Sequence, residues 1–169
     1  VDYTKVFAGQ MVEYLVDELS KQGYHLLIEG TLRTTEIPRK TAQLLTTKGY
    51  QVSLALIGTK PELSYLSTLI RYEELHAIDP IQARATPKDH HDGIVEHLVD
   101  NLRELENDKI FNQVQIYRRD QSCVYDSQVD ETSAAVVLHE CLFGKWNKVE
   151  KEMLKLGQER LRELGGIDK

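Results

Sequence analysis

Residues 29–33 read Glu-Gly-Thr-Leu-Arg and set a carboxylate, a hydroxyl and a guanidinium at alternate positions, Glu29, Thr31 and Arg33. They follow the apolar run Leu26–Leu27–Ile28. Such a trio at the end of a buried strand can grip a polyhydroxyl or phosphorylated ligand. The guanidinium offers a planar fork to phosphate, and the carboxylate accepts from sugar hydroxyls or supports a metal's water shell. An equal alternative is that Glu29 and Arg33 pair with each other or cap the next helix. Two more arginines have suggestive settings. Arg71 lies in Ser67–Leu75, "STLIRYEEL", and Arg84 in the "QARATP" run before a helix start. An arginine in such a loop can close over transferring phosphates and neutralise transition-state charge. On spacing alone the blander reading is stronger, because an arginine flanked by Glu73 and Glu74 is ordinarily a solvated ion-pair partner.

Other chemistry-bearing groups weigh less. His90, His91 and Asp92 form a His-His-Asp run that a metal-dependent hydrolase can use. Adjacent helical residues point about 100° apart, however, and no His-Glu-x-x-His pattern exists. A wet helix face is the expectation there, and no metal site is assigned. Cys123 and Cys141 have no local base and read as core or half-buried thiols. No Gly-x-x-x-x-Gly-Lys-Ser/Thr loop occurs. By spacing alone, the chain carries half of a phosphate site.

The elements that must hold these groups alternate between strand and helix. Helices are predicted over about 4–22, 36–48, 61–78, 86–107, 132–143 and 145–164. Strands are predicted over 24–29, 50–57, 114–118 and 123–125. Val6, Met11, Leu15 and Leu19 on the first helix, and Val149, Met153, Leu156, Arg160 and Leu164 on the last, read as core-facing stripes. The pattern is α/β with a mainly parallel sheet flanked by helices and a helical tail over about 132–164. In such sheets ligands bind at the carboxyl ends of strands, where Glu29, Thr31 and Arg33 sit.

The bulk numbers narrow the partners. The 169 residues suffice for one domain, here 1–169, with a sizeable core. Hydrophobic residues make 41% and charged residues 28%, which is the soluble globular class. Net charge is −6 with no long basic block, so nucleic acid is a poor partner. No apolar run approaches the roughly 18–20 residues that span a bilayer, and no leader pattern opens the chain. Two cysteines suit a reducing cytoplasm. The chain opens on Val1 rather than Met, so a longer parent is expected.

Taken together, "LLIEGTLRTTEIPRKTAQLL", "GYQVSLALIGTKPELSYLSTLIRYEEL", "ARATPKDHHD" and "RDQSCVYDS" resemble the zeta toxin family, in its PezT-type branch. The likeness runs from "DYTKVFAGQMVEYLV" to "FGKWNKVEKEML". It implies a P-loop kinase-like fold and the toxin of a bacterial toxin–antitoxin pair. Such toxins use ATP and Mg2+ to phosphorylate UDP-N-acetylglucosamine, which blocks peptidoglycan synthesis in the cytoplasm. By the resemblance, Glu29, Thr31 and Arg33 form the substrate-side cluster. Glu13 and Thr41 reach the same sugar nucleotide. Glu29 also serves catalysis, and Arg71 and Arg84 are the catalytic, ATP-phosphate-side arginines. The implied partners are the sugar nucleotide, an antitoxin and an upstream segment of the same protein.

This sequence departs from the family in one large way. The Walker loop and the base aspartate lie upstream of the segment matching Val1, so the chain is expected to be an amino-terminally truncated piece. Alone it should be no competent kinase and should bind neither ATP nor Mg2+ tightly. The strand leading into that loop should lie between 24–29 and 50–57. A non-catalytic remnant that binds an antitoxin or a sugar nucleotide is the alternative, and an unrelated metal hydrolase built on His90–His91–Asp92 is a third.

Overall fold

The computed structural model describes residues 2–165, and the side chains of residues 7–165. Six helices and three strands follow in the order α1 (Asp2–Lys21), α2 (Glu36–Thr47), β1 (Ser53–Ile57), α3 (Pro61–Ile78), α4 (Lys88–Asp108), β2 (Gln113–Tyr117), β3 (Cys123–Asp126), α5 (Ala134–Phe143) and α6 (Lys148–Glu163). The α/β class is as expected. Local chemistry sets the boundaries. Gly23 and Gly49 take positive φ just past α1 and α2, where only glycine adopts it without cost. Pro61 opens α3. Asn147 and Glu150 form a reciprocal capping box at α6. One expected start differs: the residue capping α4 is Pro87, and no side chain, Thr86 included, caps it.

The sheet has the order β1-β2-β3. β1 and β2 are parallel, with Leu54 opposite Val114 and Leu56 opposite Ile116. β2 and β3 are antiparallel. One face of this sheet carries the core, because alternate strand residues point the same way. Leu56, Val114, Ile116 and Tyr125 pack there against Val99 and Leu102 of α4 and Ala134, Ala135, Leu138, Cys141 and Leu142 of α5. On the other face Ser53, Ala55 and Ile57 are exposed, so β1 is covered on one side by the described residues and open on the other.

The strand expected over 24–29 does not form. Residues 24–30 follow no regular element, and Leu27 is 96% exposed. A strand exists only when a neighbour pairs with its backbone, and no described segment lies alongside. The apolar stripe of α1 fares likewise, with Met11 42% and Leu15 45% exposed. Val6 lies outside the described side chains. Among the described residues α1 is fastened near its carboxyl end, where Lys48 pairs with Asp17 at 2.6 Å and donates to Ser20 Oγ at 2.7 Å.

The carboxyl-terminal helix packs on α3 with a shifted phase. Leu161 is buried, Leu156 is exposed, and a Cβ on Gly157 would stand 2.7 Å from Leu66 Cδ2. The expected stripe through Leu156 is therefore one residue out. Close helix approach at a glycine hides the true contact line from a count of large apolar residues. No described helix is long and apolar enough to cross a membrane.

Candidate functional site

Glu29, Thr31 and Arg33 lie on one stretch between α1 and α2, and all three are exposed. The stretch is pinned at both ends by backbone. At its start, Tyr50 Oη donates to Tyr24 O at 3.0 Å and Ser20 O at 3.1 Å. At its end, Asn101 Nδ2 on α4 donates to Leu32 O at 2.9 Å and Arg33 O at 3.0 Å. Between the pins no backbone hydrogen bond joins residues 25–31 to other described residues. Leu32 takes φ 51°, the left-handed region, which costs a non-glycine residue about 1–2 kcal/mol. Its side chain packs against the core cluster, so both the packing and the Asn101 bonds hold that conformation.

The following helix is fastened to α4 as well. Thr35 Oγ1 donates to Glu104 at 3.0 Å, and Arg39 donates to Glu104 and to Asp108, the latter at 2.7 Å. The Arg39 hydrogen bond, then that from Thr35, holds the Glu104 carboxyl below the usual glutamate range. The Arg39 guanidinium rises correspondingly, first through Glu104 and then through Asp108. Thr41 is half-buried on α2. Glu13 is exposed on α1, close enough for its charge to help raise the Lys40 ammonium, whose main partner is Glu36.

Arg71 is exposed on α3, and Arg84 is exposed in the loop between α3 and α4. Neither pairs with a carboxylate among the described residues, and neither does Arg33. In contrast, Arg39, Arg103, Arg118 and Arg160 all form ion pairs. Glu74 pairs with Arg160 at 3.0 Å rather than with Arg71, so the expected ion pair beside Arg71 does not form and its side chain is solvated. The side chains of Glu29, Thr31 and Arg33 also do not bond each other, which removes the internal-pair alternative. The structure thus gathers Glu29, Thr31 and Arg33 on one stretch and sets Thr41 on the next helix. It makes no contact between that group and Arg71 or Arg84.

Two clefts lie elsewhere among the described residues. One of about 480 Å³ opens among Glu62, Asp92, Glu96, Leu142, Phe143 and Trp146. A smaller one sits by Lys60, Arg118, Arg119 and Glu150. Lys60 there is 2% exposed and donates to Gly144 O at 2.7 Å, so it caps the end of α5 rather than facing a ligand.

The expectation of a wet His-His-Asp face is half corrected. His91 is buried beside the Tyr65 ring, 5.4 Å between centroids, with Nδ1 3.3 Å from Asp92 and Nε2 unpartnered. Among the described residues no three His, Cys, Asp or Glu side chains gather as a metal-ligand set. Cys123 is exposed rather than semi-buried, whereas burial pushes the Cys141 thiol up. Sequence reasoning missed Asn101 and Tyr50. Both act through carbonyls distant in sequence, and no local pattern marks such partners.

Comparison with known proteins places the chain. The zeta toxin family model matches residues 1–130. Toxin PezT of Streptococcus pneumoniae is 69% identical over 164 residues, which cover 97% of this chain and 65% of that protein. Toxin zeta of Streptococcus pyogenes is 40% identical over 127 residues, covering 75% of this chain and 44% of the relative. A solved chain from a study of the PezAT chromosomal toxin–antitoxin system of Streptococcus pneumoniae superposes with a TM-score of 0.88 at 66% identity. That match covers 97% of this chain and 65% of the other. The present chain therefore spans about two thirds of PezT and under half of toxin zeta. Identity at this level over nearly the whole chain fixes the fold as that of PezT, P-loop kinase-like, and the chain belongs to the zeta toxin family.

Proposed function

We propose that this chain is the substrate- and arginine-bearing part of a toxin kinase that moves the γ-phosphoryl of ATP onto a sugar hydroxyl of UDP-N-acetylglucosamine, releasing ADP. One observation carries the reading. The 24–33 stretch is fastened by its backbone, which leaves the Glu29, Thr31 and Arg33 side chains without partners among the described residues. A structural loop spends its polar side chains on itself, whereas a binding loop keeps them for a ligand. Arg33 then forks a diphosphate oxygen pair, and Thr31 and Glu29 take sugar hydroxyls, with Thr41 and Glu13 flanking. Glu29, an acceptor near the attacking hydroxyl, also orients it.

The unpaired guanidinia of Arg71 and Arg84 fit the phosphates of ATP and would neutralise charge that develops during transfer. The described residues offer Mg2+ no ligand set, and no step here runs through it. With no Gly-rich Lys-bearing loop in its 169 residues, the chain works only together with such a loop. An antitoxin is the proposed protein partner, in keeping with the toxin–antitoxin setting of its PezAT neighbour. The bacterial cytoplasm, where sugar nucleotides are made, is the proposed compartment.

The test is a phosphorylation assay with ATP, Mg2+ and UDP-N-acetylglucosamine. The chain is run alone and then joined to the upstream segment of PezT. Sugar phosphate should form in the joined protein only. Failure of the joined protein to phosphorylate the sugar nucleotide would refute the reading.

A further inference from the structure

We infer that Asn101 is a positioning residue for ligand binding, and that it acts by clasping the backbone beneath Arg33. This rests on the sugar-nucleotide reading of the Glu29–Arg33 stretch and names the device that aims it. One amide group, Asn101 Nδ2, donates to two successive carbonyls, Leu32 O at 2.9 Å and Arg33 O at 3.0 Å. Successive carbonyls of an extended chain point to opposite sides, so one amide reaches both only where the chain turns, and Leu32, at φ 51°, is that turn. The turn puts Thr31 and Arg33 on the two arms of a bend rather than along a continuous strand.

No glycine eases this bend. Gly30 precedes it by two residues, and Leu32 takes the strained conformation itself. Leu32 anchors its side chain in the core, which fixes where the bend sits. The core contact cannot fix its rotation about that anchor, whereas two hydrogen bonds from one planar amide can. The donor lies on α4, a 21-residue helix whose Val99, Leu102 and Leu105 are buried. The clasp is therefore mounted on one of the most deeply packed elements near the stretch. By contrast, the start of the stretch rests on the phenol of Tyr50 and on the Tyr24 N–H, which donates to Leu19 O at 3.2 Å.

Asn101→Asp tests this, because it keeps shape but sets a carboxylate oxygen against two carbonyl oxygens. UDP-N-acetylglucosamine is titrated into the 15N-labelled 169-residue chain, following the Thr31 amide and the Arg33 side-chain N–H. Parent, Asn101→Asp, Asn101→Ala, Arg33→Ala and the Arg33→Ala/Asn101→Asp double variant are compared. Asp100→Asn, next along the helix and paired only with Arg103, is the control.

Asn101→Asp should weaken binding about tenfold, which is about 1.4 kcal/mol, with Asn101→Ala between it and the parent. The double variant should bind within twofold of Arg33→Ala, because a clasp that works through Arg33 has nothing left to aim. Asp100→Asn should match the parent. Parent-like binding by both Asn101 variants overturns the inference and leaves the sugar-nucleotide reading standing. Fully multiplicative losses in the double variant also overturn it, since they mark general loosening. A parent chain whose Thr31 and Arg33 signals never move defeats that reading, and the inference with it.

Discussion

Removing the Glu106 carboxylate should unfasten α5 from α4, by an amount the geometry sets. Glu106 accepts from Ser133 Oγ at 2.6 Å and from the Ala134 N–H at 2.7 Å, at the start of α5. The Ala135 N–H also faces it, at 3.5 Å. Ser133, in the capping position, makes no cap of its own, because its hydroxyl is given to Glu106. Ala134 and Ala135 are fully buried, so water cannot replace the lost acceptor. A buried donor left unpaired costs about 1–3 kcal/mol, and the bond at 2.7 Å to a charged acceptor lies in the upper part of that range. The Ala135 bond is long and adds little. In Glu106→Ala, Ser133 is free to turn and cap the helix itself, which returns about 1 kcal/mol. The net loss is then about 2 kcal/mol. For a chain of this length each kcal/mol moves the melting point by about 2–4 °C, so a fall of about 4–8 °C is expected. Glu106→Gln keeps one oxygen and should lose about half as much. The double variant Glu106→Ala/Ser133→Ala should fall about 1 kcal/mol further, because the substitute cap is gone. Urea and thermal unfolding by circular dichroism measure all three. A Glu106→Ala chain within 0.5 kcal/mol of the parent, on the roughly 1 kcal/mol scale of one hydrogen bond, would show that these contacts hold nothing.

Three other outcomes follow from the same contacts. In the joined kinase, Arg33→Ala should chiefly raise KM for the sugar nucleotide, while Arg71→Ala and Arg84→Ala lower kcat by about 10³-fold or more; steady-state kinetics that leave Arg84→Ala within twofold of the parent would remove its role. Glu104 has a folded pKa below its ordinary 4.5, owing first to Arg39 and then to Thr35, so its contribution is present above that value and is lost as pH falls through the lowered one. Glu104→Gln should accordingly melt below the parent at neutral pH, and the gap should close on acidification beneath pH 4.5; a gap that persists in acid would assign the loss to something other than charge. Amides of residues 25–30, which bond no described backbone carbonyl, should exchange almost unprotected in dilute chain, whose monomeric state sedimentation checks. Full protection in a monomer would count against that picture.

Much of this architecture was legible because its punctuation is local. Gly23, Gly49 and Pro61 mark element ends that fall within a few residues of those observed. β2 and β3 could be read from their alternation. The segment 24–29 has the same apolar composition as a covered strand, yet pairing is a property of two segments and composition belongs to one. The stripe of α1 failed for a related reason: Met11 and Leu15 line up correctly but meet nothing among the described residues. The bend at Leu32 was invisible because leucine is a poor marker of positive φ, and tertiary contacts impose it. Of the candidate site, the residue types were legible and their support was not. Asn101 looks like any polar residue on an amphipathic helix until the carbonyls of residues 32 and 33 are placed beneath it.

The separation of the two arginine groups has a physical consequence for the proposed reaction. Asn101 fixes Arg33 thirteen positions into α4, counting from Lys88, where the helix begins. At 1.5 Å per residue that is about 20 Å along the helix axis. Arg84 precedes Lys88 by four residues, and even a fully extended chain carries its Cα only about 14 Å from that helix start. Folding straight back along α4, the loop backbone falls short of the Asn101 clasp, and only the long arginine side chain narrows the gap. The two backbones are thus spaced along a rigid helix, and neither guanidinium pairs with a carboxylate among the described residues. In the proposed function, a pair of cations so placed would serve negative charge at two places, a sugar diphosphate at one end and a nucleotide phosphate at the other. Direct protein contact between the arginines would neutralise nothing and would cost repulsion.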